Sequence, residues 1–220
     1  TLESGVLGYR VAPDAFRGVG WDSPDAKVAS SVARTAAAER VPRPRGLASP
    51  AGRPLGATGT YNRSAATSYA HQWAYGRNSA YPDFGNLDCT NFVSQAFYAG
   101  GQVMGPESDS NGWWHNSGTH ATGVAWRYSM THESWMKFTG QRAYTAGSAN
   151  ILNFGDVIYY DWKPADGVTD HTVIVIGFDG SNQPYVAMHS PNLDFAPWAS
   201  WMASWLIPYT PRFMGMWDTF

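Results

Sequence analysis

Three runs in the second half of the chain set what it can fold into: "GDVIYYDW", "DHTVIVIGFD" and "PYVAMHS". Each is short, rich in β-branched and aromatic residues, and bounded by Gly, Asp or Asn, which predicts antiparallel strands joined as a meander. The tail, "WASWMASWLIPYTPRFMGMW", is expected to add one more strand and a packed terminus. Such a sheet has an apolar face to bury, and the preceding segments have a helical period with which to cover it. "NRSAATSYAHQWAYGRN" puts Ala65, Ala66, Tyr69, Ala70, Trp73 and Ala74 on one face of a helix entered from Asn62. In "NLDCTNFVSQAFYAGG", Phe92, Val93, Ala96 and Phe97 repeat that spacing, and Gly100-Gly101 supplies the left-handed stop. "THESWMKFTGQ" predicts a further short helix, and residues 102 to 130, rich in Gly, Ser and Asn, predict loop. The expected class is α+β, with helices packed on a central antiparallel sheet.

Residues 1–60 differ in kind. Ser23-Pro24-Asp25 has a capping hydroxyl, a proline at the first helical position and an acid in the first turn, which predicts a helix over about 24–41. The Pro- and Gly-rich stretch 42–60 that follows predicts an extended linker. This N-terminal arm is expected to be a pro-segment, a spacer or a strap, and 61–220 the functional domain.

Composition excludes several classes. With 15 Lys+Arg against 17 Asp+Glu in 220 residues, no basic face is available to follow a phosphate backbone, so nucleic acid is not an expected partner. Apolar runs such as Val173 to Gly177 fall far short of the roughly 20 residues of a membrane span. No charged-then-apolar segment opens the sequence, so an exported form is expected to have shed its leader. One cysteine forbids an internal disulfide and any thiolate metal cluster, and no cofactor is expected. The 11 Trp and 12 Tyr, set among many small polar residues and only 15% charged ones, suit exported proteins that handle carbohydrate-rich polymers.

The single thiol, Cys89, falls in the first turn of a core helix, where the macrodipole and unpaired backbone N–H groups favour a thiolate and can hold an oxyanion. Asp88 is placed to cap that helix, and its charge opposes ionisation, so a cationic partner is wanted. Among the histidines, His171 opens one predicted strand and His189 closes the next, which in a hairpin brings both imidazoles to one edge. Nucleophile, base and orienting group can then assemble, with Asn192 and Asp194 as competing orienters. His71 reads as a surface or satisfied histidine, and His115, His120 and His132 match no zinc spacing. "HESWM" lacks the second histidine of a zinc-protease helix. Asp161, Asp166, Asp170 and Gly167 are better read as a solvent turn than as a calcium loop, because Lys163 and Pro164 occupy positions that need oxygen ligands. Trp113 and Trp114, exposed on their loop, are expected to line a substrate groove with Asp170 or to cover the active site as a lid.

The segment from Tyr61 through "DCTNFVSQ", followed by "GDVIYYDW", "DHTVIVIGF" and "AMHS", resembles the amidase domain of bacterial exported proteins, a branch of the papain-like NlpC and CHAP cysteine peptidase superfamily. The resemblance covers roughly residues 61 to 208. It implies a papain-like fold, Cys89 as nucleophile, His171 as general base and a third polar member matched by His189. It further implies a monomeric, secreted or wall-associated hydrolase acting on peptidoglycan or a peptide-like substrate. Acyl transfer, cleavage of a non-wall amide, and a non-catalytic or inhibited precursor module use the same constellation.

Overall fold

The computed structural model describes residues 59–162, 166–201 and 208–220. The expected arm helix and nearly all of the linker lie outside the described residues. Gly59 and Thr60 are already part of the domain, because the Phe220 N–H donates to Gly59 O, the Tyr61 N–H donates to Asp218 O, and Thr60 bridges Thr219.

Helix α1 (Arg63–Trp73) starts where Asn62 accepts a hydrogen bond from the Ala65 N–H, leaving Ala66 and Ala70 against the core. Helix α2 (Cys89–Ala99) is buried along nearly its whole length and ends at Gly100, with Gly101 at φ +88°. Two short helices follow, α3 (Val124–Arg127) and α4 (Ser129–Ser134), the latter running into a π-helical turn over Trp135–Thr139.

The strands are β1 (Ala143–Ala146), β2 (Val157–Trp162), β3 (His171–Phe178), β4 (Pro184–Met188), β5 (Leu193–Pro197) and β6 (Tyr209–Met216). They form one antiparallel sheet in the order β1-β6-β2-β3-β4-β5. The meander is β2 to β5, and the tail strand inserts on the other side of β2. Alternation divides the sheet cleanly. Val157, Tyr159, Ile174, Ile176 and Ala187 pack with Phe92, Val93, Ala96 and Phe97 of α2. Ile158, Tyr160, Val173, Val175 and Val186 form a second core on the opposite face with Leu152, Trp162 and Trp201. Burial on both faces explains why the strand runs are continuously apolar.

Arg63 ties the start of α1 to the sheet. Its guanidinium donates to Asp156 and Asp218, both at 2.6 Å, and to the carbonyls of Phe154 and Met216. Asp156 also accepts from the N–H groups of Asn153 and Met216, so the buried charge is fully coordinated.

Candidate active site

Cys89 is the first residue of α2 and is nearly buried. Its sulfur lies 3.7 Å from the Thr90 hydroxyl, and the nearby backbone N–H groups of Thr172 and Thr90 favour its ionised form. The Thr172 N–H belongs to the peptide that joins His171 to Thr172, so the thiol sits directly against the start of β3. Burial pushes the Cys89 thiol up and outweighs these donors, with the neighbouring Asp88 charge acting in the same direction as burial. Burial thus works against a resting thiolate at this helix start.

A line of buried hydroxyls pins α2 to this strand. Thr90 Oγ1 is 3.0 Å from Thr172 Oγ1, Thr172 donates to Ser129 Oγ at 2.9 Å, and Ser129 donates to the His171 carbonyl at 3.2 Å.

Asp88 is wholly buried and is a hub, not a helix cap. One carboxylate oxygen accepts from His189 Nδ1 at 2.6 Å and forms an ion pair with Arg77 Nε at 3.2 Å; the other accepts from the Phe84 N–H and from Asn91 Nδ2. Asn91 also donates to Pro82 O and accepts from Trp126 Nε1. Ser94 accepts from Trp113 Nε1 and donates to Trp126 O, while Gln95 accepts from the Tyr69 hydroxyl. Nearly every polar residue of "DCTNFVSQ" thus has an assigned buried partner, as buried polar groups require.

His171 has its ring among Tyr160, Trp162 and Trp201 at centroid distances of 5.2 to 6.1 Å. Its Nε2 is buried without a hydrogen-bond partner, and burial lowers its pKa to about 3. The pleat explains the placement: Thr172 turns toward α2, so its predecessor turns toward the opposite face. No hydrogen bond joins His171 to Cys89, yet only one peptide group separates the imidazole's backbone from the sulfur.

A cleft of about 360 Å³ opens on the Asp88 side of the α2 start, lined by Tyr75, Arg77, Asp83, Asn86, Ser190 and Asn192 among others. Ser190 accepts from the Asp88 N–H and donates to Gly85 O, which ties this wall to the turn that carries Cys89.

A family model described as "Putative amidase domain" matches residues 60–210, well over half of the chain. The chain belongs to this amidase-domain family. Among curated proteins, the uncharacterized protein YhbB of Bacillus subtilis strain 168 is 39% identical over 133 residues, 57% of this chain and 40% of its own length. The uncharacterized protein YjcM of the same strain is 32% identical over 143 residues, 60% of this chain and 31% of its own. The chain's match therefore spans less than half of the length of either relative. No solved structure matches.

Within the amidase domain, several sequence expectations meet a different arrangement. His189 and His171 do not face one another. Continued from Ile174↔Ala187, the β3–β4 register sets His189 across from Thr172, on the helix side, where Phe92 stacks on it at 4.1 Å. Both ring nitrogens of His189 are taken, Nδ1 by Asp88 and Nε2 by the Trp73 carbonyl at 2.8 Å, so it does not orient His171. Nor do the competing orienters. Asn192 accepts from Arg77 Nη1, and Asp194 pairs with His71 at 2.8 Å.

Trp113 is not a groove residue: it is fully buried and stacked on Trp126. Trp114 is half-buried and donates its indole N–H to Asp109 O within its own loop. Asp170 accepts from the Trp162 N–H and closes the β2–β3 turn, while Asp161 and Asp166 accept from Gly167 and Val168 in the same turn. Thr90, Thr172 and Ser129 are the site residues that sequence reasoning missed. Thr90 and Thr172 sit beside Cys89 and His171 in the two most specific motifs, which was the available signal; Ser129 carried none. Among the described residues, no helix is long and apolar enough to cross a membrane.

Proposed function

We propose that this domain is a cysteine-dependent amidohydrolase in which Cys89 attacks an amide carbonyl and His171 is the general base. The observation that carries the reading is the packing of the Cys89 sulfur against the first peptide of β3, whose leading residue is a buried imidazole with an unpartnered Nε2. An orphaned buried nitrogen costs stability, and a functional site is a place where that cost is retained.

At rest the pair is neutral: burial holds the thiol protonated and the imidazole unprotonated. Proton transfer then accompanies attack. The His171 ring, which at rest lies on the opposite face of β3, first swings round the strand end; the S–H bond then breaks toward its Nε2 as sulfur bonds to the carbonyl carbon. The negative charge of this step ends on the carbonyl oxygen, and the unpaired backbone N–H groups at the start of α2 are the donors that would hold it. His171 next protonates the departing amine, and water, deprotonated by the same nitrogen, hydrolyses the thioester.

For substrate we favour the amide bonds of bacterial peptidoglycan, within the stem peptide or between peptide and sugar, with the protein secreted or wall-associated and monomeric. The aromatic-rich composition and the polar cleft lined by Asn86, Ser190 and Asn192 beside the Cys89 turn support a sugar- or peptide-like ligand. The papain-like fold belongs to this proposal too, supported by a cysteine-led helix packed across an antiparallel sheet that has a histidine at a strand start. The test is digestion of purified peptidoglycan by the parent chain, Cys89→Ala and His171→Ala. Release of new amines without new reducing ends, by the parent alone, is expected. Equal release by the variants overturns the thiol mechanism, and no release by any of them overturns the wall substrate.

A further inference from the structure

The hydroxyl line beside Cys89 has a direction that its hydrogen count dictates. The His171 carbonyl only accepts, so the Ser129 hydrogen is spent on it, at 3.2 Å. Ser129 Oγ then accepts from Thr172, and Thr172, its own hydrogen committed, accepts from Thr90. Thr90 has no hydrogen left for the sulfur, so its contact with Cys89 at 3.7 Å is filled only when the thiol S–H donates to it. Every contact in the line is satisfied in this orientation and in no other. All of these residues are buried to 5% exposure or less apart from Cys89 at 7%, so the hydroxyls depend on one another for partners.

Loss of the thiol proton reverses the requirement, because a thiolate only accepts. Thr90 must turn and donate into the sulfur, Thr172 must donate to Thr90, and Ser129 to Thr172. The His171 carbonyl then loses its Ser129 donor. We propose that Thr90, Thr172 and Ser129 form a reversible switch that holds Cys89 as a thiol at rest and turns round to solvate the thiolate during catalysis, with Ser129 setting the resting direction and Thr90 stabilising the ionised form. These are positioning residues, and the proposal rests on the reading of Cys89 as nucleophile.

Other charges around the sulfur are accounted for. Asp88 precedes it on α2 and is engaged by His189 and Arg77. His171 leads β3 on the far side of the shared peptide. On α4, His132 is hydrogen-bonded to the Tyr159 hydroxyl and Glu133 to Arg212. None of these contacts a hydroxyl of the line through its side chain, so they do not set its direction.

The switch makes a prediction that simple packing does not: truncations at its two ends shift Cys89 ionisation in opposite directions. Ser129→Ala removes the anchor on the His171 carbonyl and frees the line to point at the sulfur. Thr90→Val removes the donor that the thiolate needs. The measurement is the pH dependence of iodoacetamide alkylation of the full chain, read by intact mass; Cys89 is the one thiol, so the signal is unambiguous. Relative to the parent, the midpoint is expected to fall by about one pH unit in Ser129→Ala and to rise by about one in Thr90→Val, the scale of a charge-assisted against a neutral hydrogen bond. Thr90→Ser, which keeps the hydroxyl, is expected to match the parent. Shifts of both truncations in one direction, or no shift in either, overturn the switch. Should Thr90→Val not fold, the Ser129→Ala midpoint decides alone: a fall supports the proposal, and a rise or no change overturns it. The readout needs no turnover, so a chain without amidase activity would refute the nucleophile and leave this result standing.

Discussion

His189 Nδ1 donates to the Asp88 carboxylate across 2.6 Å, with both side chains almost completely buried, one residue before the thiol. The other ring nitrogen faces the Trp73 carbonyl, so the imidazole bridges the end of α1, the start of α2 and the end of β4. Its arrangement is that of a lock on the turn that carries Cys89.

Removing one partner of a buried pair leaves the other uncompensated. His189→Ala is expected to cost about 3 kcal/mol in urea unfolding, at the low end for such pairs because Arg77 still reaches Asp88 at 3.2 Å. Parental stability combined with lost activity would instead make His189 a partner in the chemistry.

Trp113 fills the core between Trp126 and Trp135 and donates to Ser94. Trp113→Ala is expected to cost about 3–5 kcal/mol through the cavity it leaves. Assayed at a temperature where the variant stays folded, KM is expected to be unchanged. A raised KM at unaltered stability would return Trp113 to the substrate groove.

Acid destabilises this fold through histidines. Burial lowers the pKa of both His132 and His171 to about 3, against about 6.5 in the unfolded chain. The unfolded state therefore binds more protons below about pH 6.5, and stability falls as pH drops from there toward 3, by up to about 1.4 kcal/mol per pH unit for each histidine. Asp156, pushed up by burial, acts in the opposite sense where it titrates, so over the window from pH 6.5 to 5 the histidine contribution is read as the difference between the parent and His132→Phe. Urea midpoints across that window are expected to fall with pH, and less steeply in His132→Phe. Midpoints that stay level would contradict the burial of these imidazoles in neutral form.

Cys89 alkylation is expected to be slow at neutral pH and to rise about tenfold per unit toward alkaline pH, since burial lifts the thiol above its usual value near 8.5. A rate already level from pH 6 to 9 would signal a preformed thiolate–imidazolium pair and contradict the neutral resting state.

The sheet was legible in the sequence because β2 and β3 are β-branched and aromatic runs of six and eight residues, and β4 follows them between turn residues. Strands β1 and β5 were not: Ala143–Ala146 is four residues long, and Leu193–Pro197 holds Phe195 at φ +56° and ends in proline. At the site, Cys89 and the start of β3 were legible from period and position. The thiol's ionisation state was not, because the helix-start argument omits desolvation, which depends on what packs over the turn. The roles of His189 and Trp113 were misread for a related reason. Strand-end proximity does not fix which face a side chain takes, and a tryptophan in a Gly-rich segment is still free to turn inward when Ser94 offers its N–H a partner.

The central claim is that the Cys89 sulfur becomes covalently acylated. The most direct measurement is acid quenching of the parent chain during peptidoglycan turnover, followed by peptide mapping by mass spectrometry. The account predicts an acyl adduct confined to the peptide carrying Cys89, absent from Cys89→Ala. Turnover by Cys89→Ala at the parental rate, or an adduct on any other peptide, would contradict it.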